Sequence, residues 1–263
     1  MKYFVSSDIH GFYDEWLTAL NNARFDKNNP EHKIIVCGDL FDRGRQPKEI
    51  INFINDMGDK IILIKGNHED LMMEAIKRNK FLGHDISNGT AYTLIDLNPM
   101  LYMDENISLQ SIAKQSGLTN IIKKCYDYYE TEHYVFVHGW IPLNYADENI
   151  YNSTLQNAKY KKNWRKSTKK EWERARWTSC VAAYKQQLFE PNKIIVCGHW
   201  HCSALWHLKY PNKYSEFGDS ENFEPFKDNN VYAIDGCTAH THKVNVVIIE
   251  DKEIKWQHFL LFW

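Results

Sequence analysis

Five short blocks of the sequence combine carboxylate, imidazole and amide side chains with glycine. Each block follows a short apolar run, and its glycine permits a tight turn close to a bound ion. Mixed oxygen and nitrogen ligands suit Mn, Fe or Zn better than Ca or Mg, which prefer shells of oxygen alone. The blocks are Asp8-Ile9-His10-Gly11, Gly38-Asp39-Leu40-Phe41-Asp42-Arg43-Gly44, Gly66-Asn67-His68-Glu69, His138-Gly139 and Gly198-His199-Trp200-His201.

Each polar residue in these blocks also has an ordinary structural explanation when it is taken alone. His138 or His199 could be a hydrogen-bonded core histidine, and Asp39 could cap a helix. A core that buried all of these groups without a metal would contain several costly, poorly paired polar side chains. Two cations among them would remove that cost, so the blocks together predict a metal centre.

The apolar runs before the blocks predict the strands that must position them. Runs of about four to six β-branched and aromatic residues are typical of buried strands. Helical patterns at Tyr13–Ala23, Pro47–Met57 and Glu69–Asn79 lie between the early runs, and this alternation predicts a layered α/β domain. The predicted strands are Lys2–Ser6, Lys33–Gly38, Lys60–Gly66, Tyr134–Gly139, Lys193–Gly198 and Val231–Gly236, with a terminal hairpin of Val244–Glu250 and Lys255–Leu261.

Two of the predicted strands are nearly identical. The segments 33–38 and 193–198 both read Lys-Ile-Ile-Val-Cys-Gly and then continue to Asp39 and His199. Nothing around the two segments repeats, so we interpret them as two central strands under the same packing demand. Each delivers a polar residue at its carboxyl end, which is where open α/β sheets place their ligands.

Length and composition limit the class of protein. The 263 residues suffice for one sizeable α/β domain or two small ones, and 43% apolar residues can form a large core. The six cysteines include no CxxC pair, and we interpret them as buried thiols of a reducing compartment. No signal peptide precedes the first predicted strand, and no apolar run is long enough for a membrane span. We therefore expect a cytoplasmic protein without a membrane partner.

The order of the blocks, written DxHG, GDxxDRG, GNHE, HG and GH, resembles the calcineurin-like metallophosphoesterase superfamily. The Asp-Arg-Gly and Asn-His-Glu forms are similar to the branch of serine/threonine phosphoprotein phosphatases and symmetrical diadenosine tetraphosphate hydrolases. The resemblance spans Met1–Gly236 and implies an α/β fold of two mixed β-sheets, packed as a sandwich and flanked by helices. We expect a single domain over residues 1–263, with a helical insertion around 80–132.

The resemblance implies a metal ligand for every block. The implied ligands are Asp8 and His10 for the first metal, Asp39 as a bridge between the two metals, and Asn67, His138 and His199 for the second metal. His201 departs from the phosphatase branch, but the wider superfamily has a Gly-His-x-His whose second histidine joins the first metal. We therefore include His201, and we expect two divalent ions, with Mn favoured over Fe or Zn.

The resemblance also implies how the ester would be cleaved. Two cations would acidify a bridging water and hold the phosphate for in-line attack. The planar fork of Arg43 would bind two phosphoryl oxygens, which a lysine could not imitate. His68, oriented by Asp42, would protonate the leaving alkoxide.

Two segments depart from the family pattern. The Trp-x-Arg of the phosphatase branch reads Trp177-Thr178-Ser179, so the second phosphate-binding arginine would be Arg174 or Arg176. Where relatives are rich in glycine, this chain has His240 and His242. These two histidines either line the pocket or are solvent-exposed residues of a strand.

The basic segment, residues 157–176, carries nine Lys and Arg residues against two Glu, interleaved with Tyr160, Trp164 and Trp172. It is either a solvated helix face with a few buried aromatics or a cationic lip that attracts a phosphorylated or nucleic-acid substrate. Because it lies between two strands that deliver predicted ligands, we expect it beside the mouth of the site. Its aromatic side chains could also stack an adenine.

The leading hypothesis is a two-metal phosphomonoesterase that acts on phosphoserine or phosphothreonine proteins. Hydrolysis of dinucleoside polyphosphates, such as diadenosine tetraphosphate, is the first alternative. A metal-dependent nuclease is another, although a nucleic-acid partner is not favoured. A non-catalytic phosphate-binding module fits least, because every expected ligand and the acid pair are present.

Overall fold

Strands and helices alternate from the start of the chain, as the apolar pattern predicts. The computed structural model describes residues 1–104, 106–146 and 155–254. The strands in these ranges are β1 (Lys2–Ser6), β2 (His32–Cys37), β3 (Ile61–Ile64), β4 (Tyr129–Glu130), β5 (Tyr134–Phe136), β6 (Leu143–Asn144), β7 (Lys159–Tyr160), β8 (Ile194–Cys197), β9 (Phe226–Asp228), β10 (Val231–Ala233) and β11 (Val247–Glu250).

The helices surround these strands, and short 3-10 turns join some of them. The helices in the described ranges are α1 (Tyr13–Asn22), α2 (Pro47–Met57), α3 (Asn67–Arg78), α4 (Gly83–Ser87), α5 (Thr90–Leu97), α6 (Leu109–Gln115), α7 (Leu118–Lys124), α8 (Lys169–Arg176), α9 (Cys180–Lys185), α10 (Cys202–Lys209) and α11 (Thr238–Thr241). The insertion predicted around 80–132 thus contains α4 to α7 and ends in the edge strand β4.

The strands form two mixed sheets and a small ribbon. The first sheet has the order β11-β1-β2-β3, in which β1, β2 and β3 are parallel and β11 is antiparallel. The second has the order β4-β5-β8-β10-β9, in which β5, β8 and β10 are parallel and both edge strands are antiparallel. The ribbon pairs β6 with β7. The prediction of an α/β fold with two mixed sheets is confirmed.

Alternation of side chains along the strands divides the core into layers. Tyr3 of the first sheet and Phe136 of the second belong to one buried cluster, which lies between the sheets. Their strand neighbours Phe4 and Val135 belong to two further clusters, each formed with the helices on an outer face. Since successive side chains of a strand point to opposite faces, the central strands are buried on both sides and the sheets form a sandwich flanked by helices.

The two nearly identical strands, β2 and β8, are both central, but they present opposite faces. Ile35 and Cys37 of β2 lie between the sheets. The equivalent Ile195 and Cys197 of β8 face the outer helices, and Val196 lies between the sheets instead. A run that is apolar at every position suits either orientation because both of its faces are buried. The matching sequences therefore reflect equal burial of the two strands, as expected, although the two strands turn opposite faces to the space between the sheets.

Several predicted boundaries differ slightly from the structure. The predicted third helix begins two residues earlier, so that Asn67 and His68 belong to its first turn. β11 pairs with β1, while the other half of the predicted terminal hairpin, Lys255–Leu261, lies outside the described residues. All six cysteines are free thiols. Among the residues that the structure describes, no helix is long and apolar enough to cross a membrane.

The basic segment occupies both ends of the second sheet. Its middle, around the 3-10 turn at Trp164–Lys166, packs where the parallel strands begin, because Arg165 Nε donates to Glu130 Oε1 at 3.0 Å and Glu130 is the register partner of Val135 in β5. Its carboxyl end approaches the ends of the strands, where the Trp177 ring that follows α8 contacts His199. The expectation that the segment lies beside the mouth therefore agrees with the place of its carboxyl end but not with that of its middle.

The side chains of the basic segment are also engaged with the protein itself. Trp164 and Trp172 are buried and pack against Tyr128, so they are not free to stack an adenine. Lys161 pairs with Glu171, which neutralises part of the positive charge. A surface helix with buried aromatic side chains describes this segment better than a cationic lip.

Phe136 tests the packing between the sheets. Its side chain is 0% exposed, and its ring centroid lies 6.2 Å from that of Tyr3 in the first sheet. We expect Phe136→Ala to lower the free energy of unfolding by about 3–5 kcal/mol, because the cavity left between two sheets cannot collapse. Urea denaturation measures this, with Ile248→Ala as the control on β11, where the side chain is 48% exposed. Losses of equal size in the two variants would contradict the sandwich.

Candidate metal centre

The six parallel strands, three from each sheet, deliver the polar blocks to one place. The residues that follow these strands are Asp8 after β1, Asp39 after β2, Asn67 after β3, His138 after β5, His199 after β8 and Asp235 after β10. Several of the turns have left-handed backbone at residues other than glycine, namely Asp8, His10, Asp39, Asp42, Arg43 and His199. Such conformations cost of order 1–3 kcal/mol each and cluster at functional sites.

Asp39 lies at the centre of two groups of potential metal ligands. Its Oδ2 is 3.7 Å from His10 Nε2 and 3.9 Å from His68 Nε2. Its Oδ1 is 3.4 Å from His138 Nε2. The ligand atoms of His10, Asp39 and His68 lie within 4.8 Å of one another, and so do those of Asp39, His138 and His199. A carboxylate shared by two such groups can bridge two ions.

The tautomers of two histidines leave lone pairs directed at Asp39. His138 Nδ1 donates to the Cys37 carbonyl at 2.8 Å, and His10 Nδ1 donates to the Phe41 carbonyl at 3.1 Å. Burial lowers the pKa of both histidines, which favours neutral rings whose Nε2 atoms carry no proton. His138 Nε2 also lies 2.8 Å from Asn67 Oδ1. Lone pairs that meet in this way repel one another unless a cation lies among them, so the donor set fits divalent metals.

His199 and Asp8 join the two sheets at the same place. The backbone N–H of His199 donates to the Asp8 carboxylate, at 3.0 Å from Oδ2. Burial, with the charges of Asp235 and Asp39, raises the pKa of Asp8 well above its usual range. Burial also lowers the pKa of His199 to about 3. Buried carboxylates beside neutral imidazoles lack positive charge, and cations would supply it.

His68 and Asp42 form a buried pair beside this cluster. His68 Nδ1 lies 2.8 Å from Asp42 Oδ2. Burial lowers the pKa of His68, but the carboxylates of Asp39 and Asp42 outweigh that effect and leave the pKa raised. A protonated His68 has no lone pair for a metal, so its nearness to Asp39 does not make it a good ligand. The structure brings the predicted pair together, and its catalytic role stays a prediction.

Glu69 holds the turn that carries Asp39. The sequence analysis included Glu69 in the third polar block but assigned no role to it. The carboxylate accepts backbone N–H groups from Gly66 at 2.7 Å, Leu40 at 2.8 Å and Asp39 at 3.0 Å. Burial, together with the charge of Asp39, raises the pKa of Glu69 to about 7. Gly66 is needed because a Cβ there would lie 2.0 Å from Asp39 Oδ1. The third block therefore supplies both a potential ligand and the support of another.

A cavity of about 170 Å³ opens onto the cluster. Its lining is His10, Arg43, His199, Trp200, His201, Asp235, Cys237 and Thr238. Arg43 is exposed, and its guanidinium makes no ion pair with any residue that the structure describes. An anion in the cavity can therefore reach both the ligand cluster and a free guanidinium. Asp235 is a second residue that the sequence analysis did not single out, although the Asp-Gly at the end of the predicted strand Val231–Gly236 was the signal.

Arg176, predicted to bind phosphate, is engaged elsewhere. It is 2% exposed, its Nε donates to Asp70 Oδ2 at 2.6 Å, and its Nη1 donates to Asp127 Oδ1 at 2.8 Å. These two carboxylates occupy its planar fork, so we correct this prediction and assign Arg176 to the packing of α8. The guanidinium of Arg174 lies 3.7 Å from the centroid of the Tyr145 ring, which is also a protein contact.

The remaining predicted histidines lie outside the two ligand groups. His201 Nε2 is 3.0 Å from Glu216 Oε1, and neither ligand group around Asp39 contains it. His240 belongs to α11 instead of a strand and lines a second cavity of about 330 Å³ with Glu221. His242 packs its ring against Phe12. His201 thus faces the cavity, and its role as a ligand of the first metal stays a prediction.

Comparison with known proteins assigns the chain to a family. A model of the calcineurin-like phosphoesterases matches residues 1–244. The chain belongs to the calcineurin-like phosphoesterase family. This phosphoesterase is 36% identical to the symmetrical bis(5'-nucleosyl)-tetraphosphatase of Psychromonas ingrahamii over 76 aligned residues. The aligned residues make up 29% of this chain and 26% of that protein. It is 26% identical to the same enzyme of an Enterobacter species over 130 aligned residues, and these residues make up 45% of this chain and 44% of that protein.

Solved structures share the fold of this phosphoesterase over nearly its whole length. A putative diadenosine tetraphosphatase superposes with a TM-score of 0.50 at 11% identity, covering 94% of this chain and 89% of that one. A cold-active protein-tyrosine phosphatase of a Shewanella species gives a TM-score of 0.52 at 18% identity, covering 95% and 75%. At these identities the likeness shows the fold alone. The sequence matches, in contrast, span less than half of the curated relatives.

Metal content tests whether Asp39 serves two ions in this phosphoesterase. We expect about two Mn ions per wild-type chain, about one in His138→Ala, and loss of tight binding of both in Asp39→Ala. Equilibrium dialysis followed by elemental analysis measures this. Asp56→Ala, which removes an exposed carboxylate paired with Lys27, should bind as the wild type does. One ion in the wild-type chain, or one held at wild-type affinity by Asp39→Ala, would exclude a bridging role.

Proposed function

We propose that this chain is a two-metal phosphoester hydrolase whose principal substrates are phosphomonoesters. The observation that carries the proposal is the position of the Asp39 carboxylate, with Oδ2 3.7 Å from His10 Nε2 and Oδ1 3.4 Å from His138 Nε2. The buried His68–Asp42 pair and the exposed Arg43 lie beside it. The proposed ligands are Asp8, His10, Asp39, Asn67, His138 and His199. Divalent cations held there, with Mn favoured over Fe or Zn, would acidify a water molecule and neutralise phosphoryl charge.

Arg43 is the proposed phosphate-binding side chain. Its exposed guanidinium lines the same cavity as His10 and His199, and its left-handed backbone, with φ of 60°, sets the side chain at the end of a tight turn. A planar guanidinium can donate to two phosphoryl oxygens at once, which fixes the orientation of the ester.

His68 is the proposed proton donor to the leaving oxygen. His68 Nδ1 donates its proton to the Asp42 carboxylate, so the proton available for transfer is the one on Nε2. Nε2 faces the cluster and lies 3.9 Å from Asp39 Oδ2. The nearby carboxylates favour the protonated ring. An alkoxide is a poor leaving group without a proton, and a positioned acid typically contributes on the order of 10² to 10⁴ in rate.

Dinucleoside polyphosphates are the second candidate substrate. Two observations favour them: the curated relatives quoted above are named bis(5'-nucleosyl)-tetraphosphatases, and Trp200 lines the cavity beside Arg43. A nucleobase could stack on this half-buried indole. A nuclease has less support, because side chains of the basic segment pair with carboxylates of the protein.

Product analysis separates these candidates. The Mn-loaded protein would be given a phosphothreonine peptide, p-nitrophenyl phosphate, diadenosine tetraphosphate and single-stranded DNA. Orthophosphate from the first two, at higher kcat/KM than cleavage of the others, is the expected result. Fast cleavage of diadenosine tetraphosphate into two equal halves would favour the second candidate. A protein that holds both metals but hydrolyses none of the four is not the enzyme proposed here.

Replacement of His68 tests its role as the acid. We expect His68→Ala to lower turnover of an alkyl phosphate by about two to four decades. The loss should be smaller for p-nitrophenyl phosphate, whose leaving group needs little protonation, and the metal content should barely change. His84→Ala, at an exposed histidine of the helical insertion, serves as the control. Equal losses on alkyl and aryl esters would count against proton donation.

A further inference from the structure

The helical insertion reaches the His68–Asp42 pair through the first turn of α5. Thr90 Oγ1 donates to Asp42 Oδ2 at 2.8 Å, and this oxygen is the one that lies 2.8 Å from His68 Nδ1. Thr93 Oγ1, one turn later, donates to Asp42 Oδ1 at 3.3 Å and accepts the Asp42 backbone N–H at 3.0 Å. The two threonines are 0% and 1% exposed. Both oxygens of Asp42 are therefore held by hydroxyls that water cannot readily replace.

The backbone at the start of α5 also packs directly on the loop that carries Asp42. Gly89 has φ of +96°, and a Cβ there would lie 2.2 Å from the backbone nitrogen of Arg43. Asp42 and Arg43 both have left-handed backbone, with φ of 72° and 60°. A loop with two such residues needs support from its surroundings to persist. The Gly89–Thr93 turn, which we call the threonine clamp, provides contacts to both its backbone and its carboxylate.

We propose that Thr90 and Thr93 are positioning residues for proton transfer. They fix the plane of the Asp42 carboxylate, and Asp42 in turn fixes the ring of His68 with Nδ1 inward and Nε2 toward the leaving group. The inference rests on the proposed role of His68 as the proton donor. It gives the helical insertion a function in the reaction, because α5 supplies these hydroxyls although it contributes no proposed metal ligand.

The isosteric variant Thr90→Val removes the hydroxyl and keeps the shape. We expect turnover of an alkyl phosphate to fall by about tenfold, which is the scale expected for a lost hydrogen bond to a charged group. Turnover of p-nitrophenyl phosphate should change by less than about twofold, because protonation matters little for that leaving group. Thr90→Ser, which keeps the hydroxyl, should restore the alkyl rate. A purely structural threonine would affect both esters alike.

A double-mutant cycle identifies the path of the effect. If Thr90 acts through His68, Thr90→Val should have no further effect on alkyl turnover in the His68→Ala background. Independent losses that multiply in the double variant would overturn the proposal. If Thr90→Val does not fold, Thr93→Val is carried through the same cycle.

A measurement without turnover completes the test. In the proton NMR spectrum of the protein loaded with diamagnetic Zn, the hydrogen-bonded Nδ1 proton of His68, identified by its absence in His68→Ala, should shift and broaden in Thr90→Val. Thr131→Val, at a fully buried threonine in the turn between β4 and β5, should leave this resonance and both rates unchanged. An unchanged resonance in Thr90→Val would overturn the proposal.

The two ways of failing are distinguishable. If His68→Ala lowers alkyl and aryl turnover equally, the proposed acid is wrong and the threonine clamp has nothing to position. If His68→Ala is selective for the alkyl ester while Thr90→Val is not, the acid stands and the clamp is overturned.

Discussion

Burial of the Asp39 carboxylate among neutral imidazoles is the constraint on which the rest of the site depends. Burial and the charges of Asp235 and Asp39 raise the pKa of Asp8, and burial with the charge of Asp39 raises the pKa of Glu69, which approaches from the side of α3. Buried carboxylates repel one another in a medium of low dielectric constant unless positive charge lies between them. The strand ends, the left-handed turns and the glycines are arranged so that this charge has a place to bind.

Much of this arrangement could be predicted because its signals are local. Every polar block follows directly on an apolar run, so the carboxyl ends of the strands could be identified before the order and direction of the strands were known. The pairing of His68 with Asp42 was also anticipated, although only through the resemblance. The face that β8 presents could not be predicted, because a segment that is apolar at every position carries no alternation to read.

The missed contacts are those that join distant parts of the chain. Arg176 meets Asp70 and Asp127, which lie 106 and 49 residues away, and no local pattern indicates such pairs. His201 meets Glu216 from a loop that has no sequence motif. Thr90 and Thr93 look like ordinary residues at the start of a helix. In each case the identity of the residue was plain, but the partner that decides its role comes from tertiary packing.

The proposed ligands are divided between the two sheets. Asp8, His10, Asp39 and Asn67 follow strands of the first, and His138 and His199 follow strands of the second. Ions bound there would connect the sheets at one end, where a Cβ on Gly38 of the first sheet would lie 2.5 Å from His138 Nδ1 of the second. Binding to the native state alone stabilises it by mass action. The two halves of the sandwich would then unfold together, and the concentration of free metal in the surroundings would set the free energy of unfolding.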